Sequence, residues 1–119
     1  MATPPPSFSY PKRVRLLRPS DFRLVYDRGW RLSTGLFAAF CLEQDPADGP
    51  RFGFTLPRAV GKSVHRNRIR RRLREIIRLE QHRFPAKCWI VFNPRRVAED
   101  APADRLRADV EKLIARCSR

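Results

Sequence analysis

Acidic residues are scarce in this chain. Twelve Asp and Glu stand against 26 Lys and Arg, leaving a formal charge of +14 over 119 residues and a pI near 11.4. Such a surplus draws a protein to nucleic acid or to an anionic membrane. Long apolar runs are missing too: none approaches the roughly 20 residues that a membrane-spanning helix needs. The N-terminus lacks the apolar centre of a secretory signal, so a cytoplasmic protein is expected. Histidine is limited to His65 and His82, and neither is grouped with acids or cysteines in a metal-ligand spacing. Cys41, Cys88 and Cys117 are odd in number, far apart, and match no metal or redox spacing. They read as buried small hydrophobes or idle thiols in a reducing compartment. The acids do not gather into the carboxylate cluster that two-metal phosphodiester chemistry requires. His65 beside Arg66 has no acidic partner in sequence, so polar filler is a better reading than general base. No catalytic residue, no bound metal and no cofactor of the protein's own are expected.

What is abundant is arginine, and it is concentrated. From Arg58 to Arg74 there are eight Lys or Arg and no acid, so this stretch carries +8 of the formal +14. Within it, Ile69, Leu73, Ile76 and Ile77 recur at i, i+4, i+7 and i+8, the period of a helix that buries one stripe. Asn67, Arg71, Arg74 and Arg78 fall on the opposite side, while Arg66 lies nearer the apolar stripe than Arg70 or Arg74. An anchored helix presenting guanidinium groups suits a polyanion. The competing reading is a solvated face balanced by neighbouring acids. It is weakened because Glu75 is the first acid inside the helix.

Met1–Lys12 holds Pro4, Pro5, Pro6 and Pro11 without apolar periodicity and is expected to be a flexible tail. The remainder, residues 13–119, fits one domain. Ser20 is a candidate N-cap for a short helix to Arg28, which Gly29 could close in a left-handed conformation. Trp30–Ser33 and Leu36–Gln44 read as strands. Arg51–Leu56 alternates, placing Phe52, Phe54 and Leu56 on one face and Arg51, Gly53 and Thr55 on the other. The connecting loop predicts an antiparallel hairpin between these last two strands. The basic helix should end before Pro85, and Cys88–Asn93 should be a central strand. Leu106, Val110, Leu113, Ile114 and Cys117 share one face of a terminal helix. The order α-β-β-β-α-β-α makes an α+β two-layer sandwich of helices on a mixed four-stranded sheet.

Taken together, Arg66-Asn67-Arg68 followed by Arg70, Arg71 and Arg74-Glu75 resembles the signature of the bacterial ribonuclease P protein subunit. Gly53-Phe54-Thr55-Leu56-Pro57-Arg58, Gly61-Lys62 and Leu17-Arg18-Pro19-Ser20-Asp21-Phe22 extend the resemblance, with Val25-Tyr26 and Gly29 at matching offsets. It covers roughly Lys12 to Ala115. The resemblance implies a protein that assembles with a catalytic ribonuclease P RNA, the RNA holding the reaction centre and its Mg²⁺. The holoenzyme would remove the 5′ leader of precursor tRNA. A left-handed crossover from strand Arg51–Leu56 through the basic helix to Cys88–Asn93 is also implied.

The RNA-binding candidates are Arg58, Lys62, Arg66, Asn67, Arg68, Arg70, Arg71 and Arg74. Arginine forks suit phosphate oxygens, and Asn67 offers both a donor and an acceptor. Relatives often carry a second basic residue where this chain has Ala59. The leader-cleft candidates are Phe22, Tyr26, Phe40 and Arg51. Aromatics that stack on unpaired bases contribute about 1–3 kcal/mol per base, but rings at helical spacing can equally be core. Gly53 would admit a close approach of RNA or mark a bulge. Neither a membrane nor a protein partner is expected. A general RNA-binding module explains the charge equally well. A free-standing nuclease and a membrane-surface helix fit the sequence less well.

Overall fold

The computed structural model describes residues 14–45 and 49–118. The Pro-rich segment 1–12 lies outside them. Helix α1 spans Pro19–Arg28, followed by strands β1 (Trp30–Ser33), β2 (Phe37–Glu43) and β3 (Arg51–Phe54). Helix α2 spans Ser63–Glu80, strand β4 Cys88–Pro94 and helix α3 Ala103–Cys117. Short 3₁₀ turns at Arg58–Val60, Gln81–Arg83 and Arg96–Glu99 link them. Both the mixed four-stranded sheet and the element order match the sequence expectation.

The sheet order is β1-β2-β4-β3. The expected β2–β3 hairpin is therefore not formed: β4 lies between them, antiparallel to β2 and parallel to β3. The reason is burial. Ile90, Val91 and Phe92 are fully buried, so the most apolar strand takes an interior place and leaves the four-residue β3 at the edge. There Arg15 adds one parallel bridge to Phe52, and the Leu16 amide donates to the Phe52 carbonyl at 2.8 Å. The hairpin that does form joins β1 to β2. Its turn is held by Thr34 Oγ1, which accepts from the Leu36 and Phe37 amides at 3.1 Å each.

Helices α2 and α3 cover one face of the sheet. Ile69, Leu73, Ile76 and Ile77 meet Phe37, Ala39, Phe52, Ile90 and Phe92 there, with Leu106, Val110 and Leu113 from α3. This two-layer body carries α1 on its reverse face, where Val25 packs against Val91 and Leu16. Helix α1 begins one residue earlier than expected, with Pro19 in the first turn and Arg18 rather than Ser20 as its N-cap. Gly29 closes it in extended conformation, φ −80°, not left-handed. Glycine is needed there for room, because a Cβ would lie 2.5 Å from the Val25 carbonyl oxygen and 2.7 Å from that of Cys41. Among the described residues, no helix is long and apolar enough to cross a membrane.

Candidate RNA interface

Helix α2 distributes its cations to three different places. At its start, Arg58, Lys62, Ser63 and Arg66 line an open depression of about 470 Å³. Arg66 reaches back across it, donating from Nη1 to the Leu56 carbonyl and from Nη2 to Ser63 Oγ, both at 3.2 Å. Its place near the apolar stripe accounts for that inward turn. Gly61 makes the bend into the helix, with φ +150°, a conformation that side chains disfavour.

One turn further on, Arg70 and Arg74 face α1. They line a cavity of about 240 Å³ together with Phe22, Gly53, Leu16 and Arg15. Arg70 Nη1 donates to Asn67 Oδ1 at 2.8 Å, which aims Asn67 along the same side. Partial burial, and then the neighbouring charges of Arg74 and Arg66, hold the Arg70 guanidinium below its usual pKa. Crowded like charges of this kind are relieved by an anion.

Arg71 points elsewhere. It lines a groove of about 460 Å³ between α2 and α3, with Arg72, Ile76, Leu106 and Arg107. The single polar face inferred from azimuth is thus divided, with Arg74 on the cleft side and Arg71 on the α3 side. Arg72 is structural: its guanidinium donates to the carbonyls of Ala98 at 2.7 Å, Glu99 at 2.9 Å, and Ala101. Arg68 is exposed, with Nη1 3.6 Å from Glu99 Oε2.

Glu99 is the acid that sequence proximity concealed. It is only 6% exposed, and His65 Nδ1 lies 2.7 Å from its Oε2. The hydrogen bond from His65 and then the positive charges of His65, Arg96 and Arg68 hold its carboxyl below the usual range, against the opposing effect of burial. His65 therefore has an acidic partner 34 residues away and is no idle filler. The pair ties the start of α2 to the turn that follows β4.

The reverse face of the sheet supplies the aromatic part. Phe22 sits so close over Gly53 that a Cβ there would lie 2.5 Å from its Cζ. Gly53 is small to admit this ring, a reason that neither a bulge nor an RNA strand supplies. The Tyr26 hydroxyl lies 2.6 Å from Thr55 Oγ1 and 2.7 Å from Asn93 Oδ1. Its one proton goes to the amide oxygen, which can only accept, and the Thr55 hydroxyl donates back. The Tyr26 ring meets Phe40 edge-on at 4.9 Å, and Arg31 lies over Phe40 at 5.7 Å. Arg51 stands over the Trp89 ring at 5.6 Å. Phe22, Tyr26, Phe40 and Trp89 are all partly exposed, so these rings are neither free nor wholly core. Trp89, Arg31, Thr55 and Asn93 were not singled out from the sequence. Strand parity was the available signal: with Cys88, Ile90 and Phe92 facing α2 and α3, Trp89 and Asn93 must face α1.

A cationic helix flanking a partly open aromatic cleft on a mixed sheet defines a small, strongly basic α+β protein. The family model described as Ribonuclease P matches residues 10–118. The ribonuclease P protein component of Acidothermus cellulolyticus is 40% identical over 108 residues, covering 89% of each chain. That of Desulfovibrio desulfuricans is 36% identical over 112 residues, covering 92% of this chain and 86% of the relative. Among solved structures, the RNase P protein from Thermotoga maritima superposes with a TM-score of 0.76 at 28% identity, covering 86% of this chain and 96% of that one. The RNase P protein of Staphylococcus aureus shares the fold, with a TM-score of 0.75 at 22% identity over 86% of this chain and 93% of that one. The chain belongs to the ribonuclease P protein-component family, a family of RNA-binding proteins of tRNA processing.

Proposed function

We propose that this protein is the accessory subunit of a bacterial ribonuclease P, working in the cytoplasm with a catalytic RNA. The RNA subunit carries out the phosphodiester hydrolysis and holds the Mg²⁺ it needs. The protein docks on that RNA and holds the 5′ leader of precursor tRNA while the leader is removed. Arg58, Lys62, Arg66, Asn67, Arg68, Arg70, Arg71 and Arg74 supply the RNA contacts, and Phe22, Tyr26, Phe40 and Arg51 line the leader cleft.

One observation carries the reading: Arg70 and Arg74 from α2 border the same cavity as Phe22 from α1. A single strand passing there would meet phosphate-binding forks on one wall and a ring on the other, the combination that sequence-tolerant binding of unpaired nucleic acid requires. A general RNA-binding module needs the basic helix but has no use for the cleft.

The test is precursor tRNA cleavage at low Mg²⁺, with a bacterial ribonuclease P RNA present or omitted. The protein alone should cleave nothing, and added to the RNA it should raise turnover. Cleavage by RNA-free protein would overturn the assignment. A protein that binds RNA but leaves the RNA-catalysed rate unchanged would point to the general binder.

A further inference from the structure

Cys41 on β2, Cys88 at the start of β4 and Cys117 in the last turn of α3 converge, all three sulfurs lying within 4.8 Å of one another. Cys41 Sγ and Cys117 Sγ are 3.8 Å apart. All three are free thiols buried in the core beneath α2 and α3, on the opposite face of the sheet from the aromatic cleft. The RNA interface uses none of them. We propose that this triad is a three-thiolate site for a trivalent thiophilic metalloid, with arsenite as the type ligand.

Geometry comes first. Trivalent arsenic keeps a lone pair and binds three sulfurs as the apex of a low pyramid, so bonds near the roughly 2.3 Å of a metal–thiolate bring the sulfurs to about 3.3 Å from one another. Cys41 Sγ and Cys117 Sγ are already near that spacing, and from the 4.8 Å upper limit each sulfur would move by about 0.9 Å, within the reach of side-chain rotation. Coordination number comes next. Among the described residues, no His, Asp or Glu joins the group, so tetrahedral zinc would lack its fourth protein ligand. Thiolates favour soft acceptors, and charge selects among those. Three thiolates around a monovalent or divalent ion leave net negative charge in an apolar core, where it is strongly disfavoured. Around a trivalent centre the complex is neutral.

The reaction balances without an oxidant or reductant. Arsenous acid, As(OH)₃, loses three As–O bonds, the three thiols lose their S–H bonds, three As–S bonds form, and three waters leave. Arsenic stays trivalent. The entry route this proposal requires is a transient opening of the final turn of α3, where helix ends fray.

The experiment uses the full chain, kept reduced with a phosphine, and sodium arsenite as the probe. Native mass spectrometry should show one arsenic per chain with the loss of three hydrogens. Arsenic X-ray absorption should show three sulfur neighbours and no oxygen. At a hundredfold excess over Kd, Tm should rise by roughly 10 °C. Cys41→Ala, Cys88→Ala and Cys117→Ala, each checked for folding by its own melt, should bind arsenite more weakly and show oxygen in place of one sulfur in the arsenic shell. A shell of two sulfurs and one oxygen in the native chain overturns the proposal, and needs no variant to establish it. So does a three-sulfur shell that survives any single substitution, or an adduct that forms only after unfolding in urea.

Discussion

Gly53→Ala separates the cleft from the rest of the molecule. Gly53 has no positive φ, so its backbone accepts alanine without strain. The added Cβ would lie 2.5 Å from Phe22 Cζ, 2.6 Å from Cε1 and 3.2 Å from Leu16 Cβ. Carbon atoms settle at about 3.5–4.0 Å, so the ring must retreat by about 1 Å or more. What gives way is the far end of a side chain rather than backbone, and Gly→Ala at a compatible site recovers about 0.4–1 kcal/mol through the unfolded chain. Net stability should therefore change by no more than about 1 kcal/mol. The ring's place in the cleft is lost, and with it up to one base stack, about 1–3 kcal/mol or roughly 5- to 150-fold in affinity. The assay is equilibrium binding of the reconstituted holoenzyme to precursor tRNA and to mature tRNA, which has no leader. Precursor affinity should fall within that range while mature tRNA is held unchanged. In a Phe22→Ala background, Gly53→Ala should add nothing, because the ring it displaces is gone. A precursor-to-mature ratio that stays within about twofold of wild type, in a protein whose melt is normal, would refute the placement of the leader at Phe22.

Three further changes probe other parts. Tyr26→Phe keeps the ring against Phe40 but removes the hydroxyl shared with Thr55 and Asn93; it should cost about 0.5–1.5 kcal/mol in urea unfolding and weaken precursor binding less than Tyr26→Ala does. Arg70→Ala or Arg74→Ala should lower affinity for the RNA subunit and reduce the slope of log K against log salt by about 1, whereas an unchanged slope excludes phosphate contact there. Glu99→Gln should lower Tm. The folded carboxyl titrates below its ordinary value of 4.5, so its stabilisation is present above that pH and is lost as pH falls through the folded value. The Tm gap between wild type and Glu99→Gln should accordingly close below pH 4.5, and a gap that widens on acidification would contradict the ion-pair account.

The features legible in the sequence are those determined by near neighbours. Ile69, Leu73, Ile76 and Ile77 are buried as their spacing required, because helical period is a local property. Strand alternation is followed only in part: Phe52 and Leu56 are buried and Arg51 and Thr55 partly exposed, but Phe54 is half-buried and Gly53 is buried under Phe22. What stayed hidden depends on partners brought from far along the chain. The β2–β3 loop is compatible with a hairpin, and nothing within it announces that β4 will enter between the strands. Glu99 and His65 meet only because the turn after β4 passes the start of α2. The three cysteines gave no motif for the same reason: their proximity is produced by β2, β4 and α3 together. Arg70 and Arg71 are adjacent in sequence yet serve different grooves, because α1 and α3 approach α2 from opposite sides. An azimuth alone cannot distinguish those neighbours.

The place of β4 in the sheet also bears on the order in which the molecule can assemble during synthesis. The β1–β2 hairpin can close as soon as Glu43 has emerged. Strand β3 must wait, since its ladder is made with a strand that lies beyond the whole of α2. Helix α2 waits with it, its apolar stripe lacking Ile90 and Phe92 to rest on. Non-local pairings of this kind are formed late and slowly. A nascent chain that stops short of residue 94 therefore lacks the anchor for its eight-cation segment, and the surface proposed to hold RNA is complete only once β4 has been made.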